Sequence, residues 1–247
     1  MVDASGFVFL HGGGQGGWVW DETVQVLKAR GARALALDIP GCGTKRAQDT
    51  SELGPESVAD ELLADITAAG LSDIILVGHS QAGTLLPLMW QRQGGLISKL
   101  VYLSCCAPLQ DQSVVDMMGQ GVWGAHPDQV GWPLDPALHD RATMRPILFC
   151  NDMTEDQTRA FMVRQDMDNW PLAVTFAAGW QYVHLKDVPS TYIICERDGI
   201  LPPDWQHRFA TRLQCDRIVS IDAGHQAMTT QPVQLASLLL DEAGMSV

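Results

Sequence analysis

Ile74-Ile75-Leu76-Val77 is an unbroken apolar run that passes directly into Gly78-His79-Ser80-Gln81-Ala82-Gly83. A run this short and this apolar, bounded by glycine, reads as a strand buried on both faces. The stretch after it, residues 83–92, has a helical pattern. A strand that returns through a helix can pair in parallel with its next neighbour, which a tight hairpin cannot achieve. The same unit recurs. Residues 7–10 form a strand ending in glycines, 20–30 a helix stopped at Gly31, and 32–37 a strand ending at Asp38-Ile39-Pro40-Gly41. Residues 57–69 carry Val58, Leu62, Leu63 and Ile66 at helical spacing and are closed by Gly70. Strands follow at 100–103, 192–195 and 218–221, with a last helix at 233–242. About six strands separated by such helices predict an α/β chain: a mostly parallel sheet, helices on both faces, and a site outside the carboxyl ends of the strands.

The rhythm breaks over residues 107–186, which hold Pro108, Pro127, Pro133, Pro136, Pro146, Pro171 and the tryptophans Trp123, Trp132, Trp170 and Trp180. Only Ile147-Leu148-Phe149 has a core strand pattern there. We read this stretch as a helical lid inserted after the fourth strand of a single domain whose core is residues 1–106 and 187–247. At 247 residues the chain is long enough for one well-buried domain. There is no internal repeat.

A net charge of -13 repels phosphate backbones and anionic lipid, so nucleic acid and membrane surfaces are excluded as expected partners. No apolar run is long enough to cross a bilayer. The start, Met1-Val2-Asp3-Ala4-Ser5-Gly6, has neither a basic segment nor an apolar one, so no secretory leader is expected. Cys42, Cys105, Cys106, Cys150, Cys195 and Cys215 show no C-x-x-C pair and no zinc spacing. Reduced structural thiols in a cytoplasm are the expectation.

Chemistry concentrates at four places, each just past a predicted strand. Gly78-His79-Ser80-Gln81-Ala82-Gly83 sits between strand and helix, the context of a nucleophile elbow. The turn is tight, so the neighbours of Ser80 must be small, and Ala82 is a mild departure from the usual glycine. Phe9-Leu10-His11-Gly12-Gly13-Gly14 offers a second backbone donor: a carbonyl becoming tetrahedral needs two N–H groups on its oxygen, and Gly13 and Gln81 are the candidates for that oxyanion hole. A phosphate cradle is the alternative for these glycines, but no Lys-Ser/Thr follows them. His11 is read as a brace for the loop. Asp198 in Glu196-Arg197-Asp198-Gly199 and His225 in Ala223-Gly224-His225-Gln226 complete the order Ser…Asp…His. A serine hydroxyl is a poor nucleophile near neutral pH. His225 would take its proton, and Asp198 would hold the imidazole in the right tautomer. Asp111 is the rival acid. Glu196 is two residues early, and Asp222 is too close in sequence to His225. His126, His139, His184 and His207 are read as ordinary lid, loop or surface residues.

Along nearly its whole length the chain resembles the α/β-hydrolase family that contains plant hydroxynitrile lyases and plant methylesterases. The similarity runs through Phe9-Leu10-His11-Gly12, Gly17-Trp18-Val19-Trp20, Ala36-Leu37-Asp38-Ile39-Pro40-Gly41, Val77-Gly78-His79-Ser80, Asp198-Gly199-Ile200-Leu201-Pro202 and Gly224-His225. The resemblance implies the α/β-hydrolase fold. The lyases carry threonine where Gly12 stands, where glycine would leave open space, and lysine where Gln226 stands. The resemblance therefore implies ester hydrolysis, with a lyase, lactonase, thioesterase or perhydrolase reaction, or ligand binding without turnover, as the alternatives. The expected partner is a small to medium apolar or aromatic ester. Gly12, Trp123, Trp132 and Trp180 are its candidate contacts, although any one tryptophan is as well explained by packing the lid. No metal or organic cofactor is required, and a homodimer is left open.

Overall fold

In the computed structural model the described residues are 5–245. Met1 to Ala4, on which part of the reading of the amino terminus rests, lie outside them, as do Ser246 and Val247. Six strands form one sheet: β1 (Gly6–Leu10), β2 (Ala34–Leu37), β3 (Ile74–His79), β4 (Ile97–Leu103), β5 (Ser190–Cys195) and β6 (Arg217–Ile221). Their order is β2-β1-β3-β4-β5-β6, and every pairing is parallel. The chain runs from β1 outward to β2, then returns to place β3 on the other side of β1. The direction of winding therefore reverses between β1 and β3, the switch point beyond whose carboxyl ends open parallel sheets place their sites.

Successive side chains alternate between two cores, as a period of two requires. Val8 and Leu10 of β1, Leu76 of β3, Leu100 and Tyr102 of β4, and Tyr192 and Ile194 of β5 share one core. It is covered by α2 (Pro55–Ala68), α3 (Leu85–Gln93) and α8 (Pro203–Arg212) through Leu62, Ile66, Leu86, Met89, Phe209 and Leu213. Phe7, Phe9, Val77, Val101, Leu103, Ile193 and Cys195 point the other way. There they meet Leu27 of α1 (Asp21–Ala29) and Leu235, Leu239 and Leu240 of α10 (Pro232–Glu242). Each such buried side chain contributes roughly 1.5–3 kcal/mol. That is why runs buried on both faces show no polar alternation in sequence.

Between β4 and β5 lie α4 (Val114–Met118), α5 (Arg141–Phe149), α6 (Glu155–Gln165) and α7 (Leu172–Phe176). Ile147-Leu148-Phe149, which alone in this stretch has a core strand pattern, is the last turn of α5. The Asp140 side chain caps this helix by accepting from the Thr143 N–H, and Met144 and Leu148 are buried on one side. Three apolar residues fit either period, and the Asp140 cap seven residues upstream decides.

Hydrogen bonds tie this segment to the loops at the carboxyl ends of the strands. The fully buried Asp168 carboxylate accepts from Trp18 Nε1 and the Gly43 N–H, both at 2.7 Å. Asn169 N–H donates to Gly41 O at 2.8 Å. Asn151 Nδ2 donates to Arg197 O at 2.5 Å. Asp152 Oδ2 accepts from the Gly224 N–H at 2.6 Å and from Thr230 Oγ1 at 2.9 Å. Thr230 ends the short helix α9 (Ala227–Thr230). Among the described residues no helix is long and apolar enough to cross a membrane.

Candidate active site

Ser80 follows β3 immediately and has φ +54, in the left-handed region. That conformation costs an L-residue about 1–3 kcal/mol and persists only where the surroundings hold it. Here Cys106 N–H donates to Ser80 O at 3.1 Å, and Cys105 Sγ lies 3.1 Å from Gly78 O. A side chain at Gly83 would run into Cys106 O, with Cys105 Cβ only 2.7 Å away, so β4's continuation forms the floor of the turn. Burial pushes the Cys106 thiol up to about 12 and Cys105 well above its ordinary range. Both side chains are buried in the packing beneath the turn. Beyond Ser80 a 3₁₀ turn, Ser80–Thr84, leads into α3, so the expected helix from residue 83 starts as a tighter turn.

The register Leu10 opposite Gly78 sets the glycine loop beside the elbow. A Cβ at Gly12 would stand 2.8 Å from Ser80 Cβ and 3.0 Å from His79 Nδ1. A side chain at position 12 would therefore crowd Ser80 and His79. At Gly13 a Cβ would stand 2.6 Å from Gln81 Oε1. Gln81 in turn donates through Nε2 to Thr175 Oγ1 of α7 at 2.8 Å. His11 accepts the Ile39 N–H on Nε2 at 3.0 Å, so its other nitrogen carries the proton and donates to Gly12 O at 2.9 Å. Burial lowers the His11 pKa, keeping this brace neutral.

His225 and Asp198 meet in a dry site. His225 Nδ1 lies 2.6 Å from Asp198 Oδ2, and both side chains are fully buried. The carboxylate only accepts, so Nδ1 carries the proton and the lone pair is left on Nε2. Nε2 has no hydrogen-bond partner among the described residues. His79 Nε2 donates to the His225 carbonyl at 2.9 Å, fastening the residue before Ser80 to the backbone of His225. Burial, then the neighbouring His225, hold the His79 pKa well below its usual value. Asp198 Oδ1 accepts from the N–H groups of Ile200 and Leu201 at 2.6 and 2.8 Å. Oδ2 also accepts from Ser104 Oγ at 2.6 Å.

Two supports went unnoticed in the sequence. Ser104 is a polar residue closing an apolar strand, and that interruption was its signal. Gln206 on α8 is fully buried; it accepts from Cys195 N–H and donates to Cys195 O and Leu201 O, stapling the loop that carries Asp198. Nothing in its helical surroundings marks it.

The rival acids lie elsewhere. Asp111 is exposed in the loop after β4, and Glu196 is exposed. Asp222 pairs with Arg197 Nε at 2.6 Å on the surface. His184 Nε2 sits 3.0 Å from Pro87 O, and His126, His139 and His207 are exposed. Trp123 is 38% exposed and lines a cavity of about 280 Å³ with Trp205 and Arg208. Trp132 donates through Nε1 to Gly119 O at 2.7 Å. Trp180 is buried. The ring beside His225 from this segment is instead Phe149, edge-on at 6.0 Å, and Trp170 stands edge-on to His11 at 6.0 Å. Among the described residues no cluster of His, Cys, Asp and Glu could hold a metal ion.

The chain is similar to two probable esterases from rice, Oryza sativa subspecies indica and japonica, each 37% identical over 103 residues. That match takes in 41% of this chain, and the chain spans only 39% of those relatives' length. Longer matches are weaker. Polyneuridine aldehyde esterase of Rauvolfia serpentina is 25% identical over 95% of this chain and 94% of its own. A carbendazim-hydrolysing esterase of a Nocardioides species is 26% identical over 94% and 97%. Among solved structures, an extracellular α/β-hydrolase from a Paenibacillus species superposes with a TM-score of 0.76 at 21% identity, covering 96% of this chain and 98% of that one. A pyrethroid hydrolase from Sphingobium faniae gives 0.71 at 22% identity, covering 97% of each. The profile of the alpha/beta hydrolase family matches residues 7–238, nearly the whole sheet and every element around the buried pair. The chain belongs to that family.

Proposed function

We propose that the protein is a serine carboxylesterase acting on small to medium apolar or aromatic esters through an acyl-enzyme on Ser80. The observation that carries the reading is the dry His225–Asp198 pair at 2.6 Å, tethered through His79 to the strained turn that presents Ser80. In this reading His225 Nε2 takes the Ser80 hydroxyl proton as Oγ attacks the ester carbon. The N–H groups of Gly13 and Gln81 receive the developing oxyanion. The tetrahedral species expels the alcohol, which takes the proton from His225. Water then gives its proton to His225 and attacks the acyl group, releasing the acid and restoring Ser80. Asp198 stays ionised throughout and stabilises the imidazolium.

Esterase names among the full-length relatives support this chemistry. Residues 107–186 act as the lid on a core of 1–106 and 187–247. Gly12, Trp123, Trp132 and Trp180, with Phe149 beside His225, are the proposed substrate contacts. All six cysteines are free, which supports a reducing cytoplasmic setting. Lyase chemistry is disfavoured because Gln226 is a neutral amide where a departing cyanide needs a cation.

The test is a panel of p-nitrophenyl esters of rising acyl length, methyl esters of aromatic acids, and mandelonitrile. Ester turnover should be clear and cyanide release no greater than the uncatalysed background. A fluorophosphonate should label Ser80, and Ser80→Ala should abolish turnover in a folded protein. Retained turnover in that variant sinks the reading, and cyanide release without ester turnover points to the lyase.

A further inference from the structure

Asp198 has room for about four hydrogen bonds on its two oxygens, and all four places are taken. Oδ1 receives two backbone N–H groups, and Oδ2 receives His225 Nδ1 and the Ser104 hydroxyl, each at 2.6 Å. An ionised carboxylate cannot donate, so the hydroxyl must. Ser104 is fully buried, and it sits at φ +40, a left-handed conformation unfavourable for any residue with a Cβ. Its N–H donates to Ile193 O at 3.0 Å, which continues the β4–β5 ladder one residue past β4 and fixes where the side chain starts.

We propose that Ser104 is a positioning residue of the triad, its hydroxyl fixing the Asp198 carboxylate and drawing on the same oxygen that holds His225. This rests on the esterase reading above. A donor on Oδ2 does two things. It stops the carboxylate from rotating away from the imidazole. It also takes a share of the charge that would otherwise stabilise imidazolium, so removing it should make His225 more basic, not less.

The other titratable groups around the pair are His79, with its ring 4.4 Å from His225, Tyr192 and Cys195 on β5, and Asp152 behind Gly224. Burial keeps His79, Tyr192 and Cys195 uncharged, and the Tyr192 hydroxyl is committed to Cys105 O at 2.5 Å. The Asp152 carboxylate is bound to Gly224 N–H and Thr230 Oγ1.

The experiment compares Ser104→Ala, which keeps the strain and loses the hydroxyl, with Ser104→Gly, which loses both. With p-nitrophenyl acetate, kcat should fall about tenfold in each, as expected for one hydrogen bond to a charged group, with KM nearly unchanged. The acid limb of kcat/KM should move to higher pH. Ser104→Gly also provides a test if strain prevents Ser104→Ala from folding. His225 titration followed by NMR provides a readout that needs no substrate. An upward shift in both variants supports the proposal even if no ester is ever turned over, a result that would defeat the esterase reading alone. Unchanged titration and unchanged kcat in folded Ser104→Ala or Ser104→Gly overturns it, as does a loss confined to KM.

Discussion

Asp198 and Asp111 make the sharpest contrast at the scale of single residues. Asp198→Asn should leave KM close to that of the parent and lower kcat by about 10³–10⁴, because an amide favours the wrong imidazole tautomer. Asp111→Asn, on an exposed loop, should be silent in the same kinetics; the reverse pattern would move the acid to the end of β4. A Cβ at position 12 would meet Ser80 Cβ, so Gly12→Ala should displace Ser80, the proposed nucleophile, and cost about 10²-fold in kcat. A further prediction at this scale concerns pH. His79 and His11 are held neutral by burial, each with a pKa below that of an unfolded chain, about 6.5. Between the folded and unfolded values the unfolded state binds more protons. Stability therefore rises with pH up to about 6.5 and is lost on acidification below it, by up to about 1.4 kcal/mol per pH unit for each ring. Urea unfolding at pH 7 and pH 5 should show this slope, and His79→Gln should remove one ring's share. A slope unaffected by that variant would mean that His79 is not the buried neutral base described here.

Between elements, the telling contacts are those from the α5–α6 connection to the loops that carry Asp198 and His225. The Asp152 side chain is 3% exposed and holds both the residue before His225 and the end of α9. Asp152→Ala strands the Gly224 N–H and leaves the Thr230 hydroxyl only its longer bond to Gln226 O at 3.3 Å. The loss should be about 2–3 kcal/mol of stability by denaturant titration, together with a fall in kcat as the His225 loop loosens. A variant with parental stability would show that α5 merely rests on the core. Residues 147–149 carry apolar content that fits either period; the Asp140 cap at the start of α5 is local, and only the absence of a partner strand is a relation to other segments.

The molecule as a whole carries a net charge of -13, and that field acts on whatever approaches the carboxyl ends of the strands. For a neutral aromatic methyl ester, kcat/KM should be nearly independent of ionic strength. For the same ester bearing a carboxylate it should rise between 0.01 and 0.15 M salt, as the Debye length falls from about 30 to about 8 Å. Equal salt responses from the two esters would show that the local field at the site is not acidic.

The sheet, its parallel pairing and the positions of Ser80, Asp198 and His225 were legible in the chain because each depends on local pattern: short apolar runs, helical spacing, glycine where a turn is tight. Ser104, Gln206, Asp152 and Phe149 were not. Each acts on a partner more than ten residues away or across an element, so its meaning exists only once β4, β5 and the inserted helices are in place. The tryptophans show the same limit. Composition placed aromatic rings in the insertion, but which ring faces His225 depended on how α5 docks, and docking is set by Asn151, Asp152 and Asp168 finding backbone donors and acceptors that no local pattern announces.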